Sequence, residues 1–164
     1  MFNFFGKKRI SPQEMAYSLF SVLVEDDTED SLRDSSGNII LIKQEKYLLR
    51  LSHLSRFLDN HDLQMVKNLI FSLVVQSKKK IKGDTDFALE MLVLADSVAK
   101  INSFLDSVAT SASPEKDFLQ TDSLFDRKLN LEQKTLIWGW YFAHAKATDS
   151  KILNPMMKKF EVIT

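Results

Sequence analysis

Seven apolar residues, Phe87, Met91, Leu94, Val98, Ile101, Leu105 and Val108, follow one another at alternating steps of four and three. A period near 3.5 holds such residues on one face, so the spacing predicts a long helix over 84–112 with a packed seam. Ala88, Leu92, Ala95 and Ala99 widen that face. Leu89 and Val93 fall outside it and leave the first half apolar almost all round. A helix of that kind belongs in the middle of a bundle. The expected fold class is therefore all-α: a single globular domain over 1–164, a bundle of five or six main helices around a central helix at about 85–112.

The chain is long enough to build this. A domain of 164 residues suits one core and buries roughly 70% of the surface its unfolded form exposes. The 22 basic residues balance the 22 acidic ones, which argues against nucleic-acid binding driven by net charge. The absence of cysteine excludes disulfides, thiolate metal sites and cysteine nucleophiles. The longest clean apolar run, 136–143, is far short of the ~20 residues of a membrane span. At the start, aromatic residues precede the basic ones, the wrong order for a secretory signal. A cytoplasmic protein is expected, peripheral at most to the inner face of a membrane.

The other elements follow from local chemistry. Ser11, Pro12 and Glu14 form a capping box with proline at the first helical position, and Ile10 and Met15 have the spacing of a hydrophobic staple. A first helix is expected from Pro12 to about Val24, burying Met15, Ala16, Leu19, Phe20 and Leu23. Residues 25–38 read as an acidic connector with turn chemistry at Asp34, Ser35, Ser36, Gly37 and Asn38; their spacing does not match a calcium loop of the EF-hand type. The period of Tyr47, Leu48, Leu51, Leu54, Phe57 and Leu58 extends a second helix back to about Leu41. A third runs from Leu63 to about Lys80, burying Val66, Leu69, Ile70, Leu73 and Val74. Gly83 is expected to end it in the left-handed conformation. Asp84 or Thr85 caps the central helix and Pro114 enforces its end. A short helix over 114–120 precedes an irregular 121–129. Asn130 and Gln133 resemble a capping box opening a helix over 131–147, and Asn154-Pro155 starts a final short helix.

Two stretches are candidate contact surfaces. Phe2, Phe4 and Phe5 precede Lys7, Lys8 and Arg9, an order that suits either an interfacial anchor on anionic lipid or an acidic partner, or an arm over 1–10 folded back on the domain. Trp138, Gly139, Trp140, Tyr141 and Phe142 make the densest aromatic cluster. Either it is wholly enclosed, or Trp138, Trp140 and Tyr141 dock a partner, these residue types being the usual interface anchors. Gly139 costs helix stability and points to close packing or a pocket. Lys78, Lys79, Lys80 and Lys82 read as cations on a solvated helix end, since no aromatic residues interleave them.

No Glu-x-x-His, His-Glu-x-x-His, P-loop, Gly-x-Gly-x-x-Gly or Gly-x-Ser-x-Gly pattern occurs, and no metal site or cofactor is expected. One enzyme-like pattern stands: Arg56-Phe57-Leu58-Asp59-Asn60-His61. It resembles the motif of the HEPN family, all-α domains that include metal-independent ribonucleases. The resemblance implies Arg56 as the phosphate-binding cation and His61 as the acid–base group, with Phe57 where that family usually has a polar residue. Separately, residues 143–152 are similar to the helix-then-Asp-Gly turn of TerB-like helical domains, with Ser150 in the glycine position; no metal site is carried over.

The functional expectation is a non-enzymatic, intracellular protein-interaction module: an adaptor, a chaperone-like subunit or an immunity-type inhibitor. The alternatives are a HEPN-like ribonuclease using Arg56 and His61, and a peripheral membrane protein held by Phe2, Phe4 and Phe5.

Overall fold

A computed structural model describes residues 6–25, 31–78, 82–118 and 120–163. It is mostly helical, with only short strands. Helix α1 spans Pro12–Glu25, α2 Lys43–Asn60, α3 Gln64–Gln76, α4 Gly83–Ala109, α5 Pro114–Phe118, α6 Thr121–Phe125 and α7 Leu131–Thr148; a π-helical turn over Asp149–Leu153 leads into α8, Asn154–Lys159. Strands β1 (Lys8–Ile10) and β4 (Phe160–Val162) pair in parallel, and β2 (Leu32–Arg33) pairs antiparallel with β3 (Ile39–Leu41). No helix of the described residues is long and apolar enough to cross a membrane.

The predicted caps explain the helix starts. The Ser11 amide donates to Glu14 Oε2 at 2.7 Å and the Glu14 amide to Ser11 Oγ at 3.1 Å. The same reciprocal pair joins Asn130 and Gln133 at 2.9 and 3.0 Å. Ile10 and Met15 are both buried beside the first of these caps.

Two hydrophobic clusters fill the interior. The first gathers Met15, Leu19, Leu51, Leu58, Ile70 and Val75 with Leu94 and Val98 of α4. The second gathers Ile40, Leu41 and Leu49 with Ile101 and Leu105 of α4 and Ile137, Trp138 and Tyr141 of α7. Helices α2 and α4 run through both clusters, so they are the elements that join them.

Several elements depart from expectation. Residues 39–41 are a strand rather than the first turn of α2. Asp34 closes the preceding turn by accepting the Ser36 and Asn38 amides on Oδ1, and Gly37 at φ +83° completes it, which returns the chain alongside Leu32 and Arg33. Gly83 does take a positive φ, +84°, but it opens α4; α3 has already stopped at Gln76. The region after α5 contains the helix α6. Asp122 Oδ1 there accepts the Leu129 amide, and the Arg127 guanidinium donates to the Ile40 carbonyl and pairs with Glu45. Those long-range ties order a stretch that local propensity leaves open. The N-terminal stretch is also partly structured, since Lys8–Ile10 forms β1 against a strand 152 positions further on, as Lys8 opposite Phe160 shows.

The largest departure concerns α4. Its seam is buried as predicted at Leu94, Val98, Ile101, Leu105 and Val108. The helix is not enclosed, however: Leu89 is 56%, Leu92 67% and Val93 59% exposed. Neighbours pack on one side only, chiefly α2 and α3.

Candidate functional site

A hollow of about 720 Å³ opens where α2, α4, α5 and α7 meet. Helical spacing builds its polar end. His53 and Arg56 are three apart on α2 and so share a face. Asp149 arrives from the π-helical turn that follows α7, a widened turn of a kind frequent at functional sites. The walls are apolar: Leu105 and Val108 of α4, Phe118 of α5, and Phe142 and Ala145 of α7.

His53 and Arg56 are each held by a carboxylate at this end. His53 Nε2 lies 2.8 Å from Asp149 Oδ1. An ionised carboxylate can only accept, so in the neutral ring Nε2 carries the proton and Nδ1 is the acceptor. Arg56 Nη1 donates to Asp106 Oδ1 at 2.5 Å and to the Asn102 carbonyl at 3.2 Å. Tyr141 closes the floor, edge-on to His53 with ring centroids 6.3 Å apart. Burial pushes the Tyr141 phenol up to about 12; nearby Asp149 adds to that rise and Arg56 opposes it. The phenol therefore stays protonated, a neutral hydrogen-bonding group facing one cation and one anion.

A second hollow of about 440 Å³ continues along α7, lined by Leu131, Thr135, Trp138 and Gly139. Phe118 and Phe142 line both hollows, so together they form one groove down the outer side of the helix. Gly139 is the reason the floor is low there. A Cβ built on it meets no heavy atom within 4 Å, so the residue serves the hollow and not a close helix contact.

The aromatic cluster of α7 is divided. Trp138 and Tyr141 are each only 4% exposed, and the Trp138 indole donates to Thr121 Oγ1 at 2.7 Å while its ring stacks on Phe104. Trp140 is half-buried, stacked on His144 with the Lys46 ammonium 5.1 Å above its ring. Phe142 stands 49% exposed on the groove.

Comparison with protein-family models, with curated proteins and with solved structures returns no match.

Other residues singled out by sequence lie apart from this site. His61 is exposed, with Nδ1 2.8 Å from the Phe57 carbonyl and its ring stacked on Phe57 at 4.1 Å. It does not line the hollow, whereas Arg56 does. Phe2, Phe4 and Phe5 lie outside the described residues, as do Lys79 and Lys80. Lys7, Lys8 and Arg9 are exposed, and Arg9 reaches Glu161 at 3.7 Å. Lys78 pairs with Glu90 of α4 at 2.5 Å. Among the described residues no group of three or more histidine, aspartate or glutamate side chains is arranged to hold a metal ion.

His53 and Asp149 are the functional candidates that sequence reading missed. Ninety-six positions separate them, and no local pattern links residues so far apart. The only available signals were the three-residue step from His53 to Arg56 and the Asp149-Ser150 turn after α7.

Proposed function

We propose that the chain is a non-enzymatic interaction module that receives an apolar segment of a protein partner in the groove along α7. The observation that carries this reading is the groove itself: two adjoining hollows with mainly apolar walls, sharing Phe118 and the half-exposed Phe142. Concave apolar surfaces with a few convergent polar groups are the usual form of a binding site. The state of the polar end fits the same reading, because Arg56 is already held by Asp106 and His53 by Asp149. Such paired groups orient and select a bound segment without needing to react with it.

The test is a comparison of partners retained by the native protein and by a Phe142→Glu variant whose melting temperature matches it. The reading expects a partner held by the native chain and released by the variant. Retention of the same partners by both overturns it.

One observation favours a second reading, general acid–base chemistry. His53 is oriented by a carboxylate and sits beside Arg56 and Tyr141 in a single hollow, the constellation a base, an anion-binding cation and a proton donor require. The acid–base role falls there to His53, since His61 stands outside. Turnover of a phosphodiester substrate such as RNA, abolished by His53→Asn with the fold intact, supports this reading; absence of turnover removes it.

A further inference from the structure

The polar end of the hollow holds a donor that the fold leaves unused. Tyr141 is 4% exposed and lines the hollow. Among the described residues its hydroxyl has no hydrogen-bond partner. A tyrosine buried to this degree normally finds one, and the side of this ring that the protein leaves open is the hollow. The phenol keeps its proton, so the group is a donor. His53 stands edge-on beside it with Nε2 committed to Asp149. That leaves Nδ1 as an acceptor, also without a hydrogen-bond partner among the described residues. The two rings offer one donor and one acceptor side by side.

The charges around them balance. Arg56, Lys146 and Asp149 line the hollow, and Asp106 lies on Arg56. Two cations thus stand against two carboxylates. Tyr141 feels both Arg56 and Asp149, so an anion set against its hydroxyl would meet the field of Asp149 and a cation the field of Arg56. A neutral acceptor meets neither penalty.

We propose, resting on the reading of the groove as a receptor for an apolar segment, that the Tyr141 hydroxyl donates to a main-chain carbonyl of that segment at an uncharged point of it. A peptide group brings one acceptor and one donor, which Tyr141 and His53 match. Leu105, Val108 and Phe118 then face the apolar side chains on either side. The recognised stretch is internal to the partner chain, because a chain end would carry its carboxylate or ammonium into this balanced site.

The probe is N-butylhexanamide, a neutral amide between two short apolar chains, titrated into the intact chain and followed by NMR. Hexanoate and hexylammonium, each an apolar chain with a charged head, are the comparisons. The amide should bind saturably and shift the ring signals of Phe142, and both ions should bind more weakly. Tyr141→Phe should weaken the amide by roughly 2- to 12-fold, the worth of one neutral hydrogen bond. Its melting temperature should not fall, since the hydroxyl supports nothing in the fold. Absence of amide binding overturns the inference, as does equal affinity in the native chain and Tyr141→Phe, or tighter binding of either ion. A lower melting temperature for Tyr141→Phe overturns it as well, because the hydroxyl then has a partner within the protein. Partner release by Phe142→Glu together with any of these results keeps the groove and removes only the hydrogen bond. Identical partner retention in that comparison removes the groove reading, and the inference with it, whatever the amide does.

Discussion

Helices α4 and α7 look alike as sequence, each apolar on nearly every side near its middle, yet the fold treats them differently. Around α7, helices α2, α4 and α6 enclose Trp138 and Tyr141, and the uncovered outer side is hollowed by Gly139 and by the gap to α5. Around α4, packing occupies the seam alone and the opposite side projects as a ridge of leucine, valine and alanine with the exposed Asp96 among them. All-round hydrophobicity thus does not mean central burial. Here it marks a helix with one apolar side toward the core and another away from it, and the two outward surfaces differ in shape.

Mutations can break or sharpen this contrast. Trp138→Ala should be the most damaging, costing about 3–5 kcal/mol, because it removes a buried ring and the donor to Thr121. A loss below about 1 kcal/mol in denaturant unfolding would mean that α7 is not enclosed. On α4 the contrast lies between neighbours. Leu94→Ala, on the seam, should cost about 2–5 kcal/mol, whereas Leu92→Ala, two residues earlier on the ridge, should stay within about 0.5 kcal/mol for the isolated chain. Equal losses at the two positions would show that the ridge is packed after all. Gly139→Ala should stabilise α7 by about 0.5–1 kcal/mol, since its added methyl group meets open space, while making the groove shallower. Destabilisation would mean that something occupies that floor.

The smallest effect concerns how the two helices begin. The first turn of α7 is tied to the β2–β3 turn, where Asp34 Oδ2 accepts from the Gln133 side-chain amide at 3.0 Å. That hydrogen bond, with those from Asn38 and Ser36, holds the Asp34 carboxyl below its ordinary range. A depressed carboxylate adds stability that is complete above its unfolded pKa near 4 and is lost as pH falls through the lower folded value. Gln133→Ala should therefore reduce the acid-side slope of stability below about pH 4. An unchanged slope would show that this tie contributes nothing.

What the sequence made legible was whatever depends on near neighbours. The capping boxes at Ser11 and Asn130, the seam of α4 and the aromatic core of α7 all come from residues within a few turns of one another. What it concealed depends on distant partners. The strand at Ile39–Leu41 exists because Leu32 and Arg33 lie beside it, and α6 is framed by Arg127 reaching Ile40 and Glu45. The candidate site divides the same way. Arg56 was legible as a cation on a helix, but its companion in the hollow is His53, and the carboxylate that orients His53 comes from the far end of α7. Exposure of the ridge on α4 was equally hidden, because no periodicity states how many neighbours a helix has.

The parallel pairing of Lys8–Ile10 with Phe160–Val162 carries a consequence for the order of assembly. On the ribosome the second of these strands is made some 150 residues after the first, so the lead-in to α1 waits for its partner while all the helices between are made. Closing a chain loop of that length costs roughly 4 kcal/mol on a (3/2)RT ln n scale, more than three residue pairs of ladder recover alone. The pairing therefore closes only when the helices between have already brought its strands together. It acts as a latch over the first hydrophobic cluster, since Ile10 belongs to that cluster and Phe160 and Val162 pack against it: a chain interrupted before Phe160 leaves its first strand open.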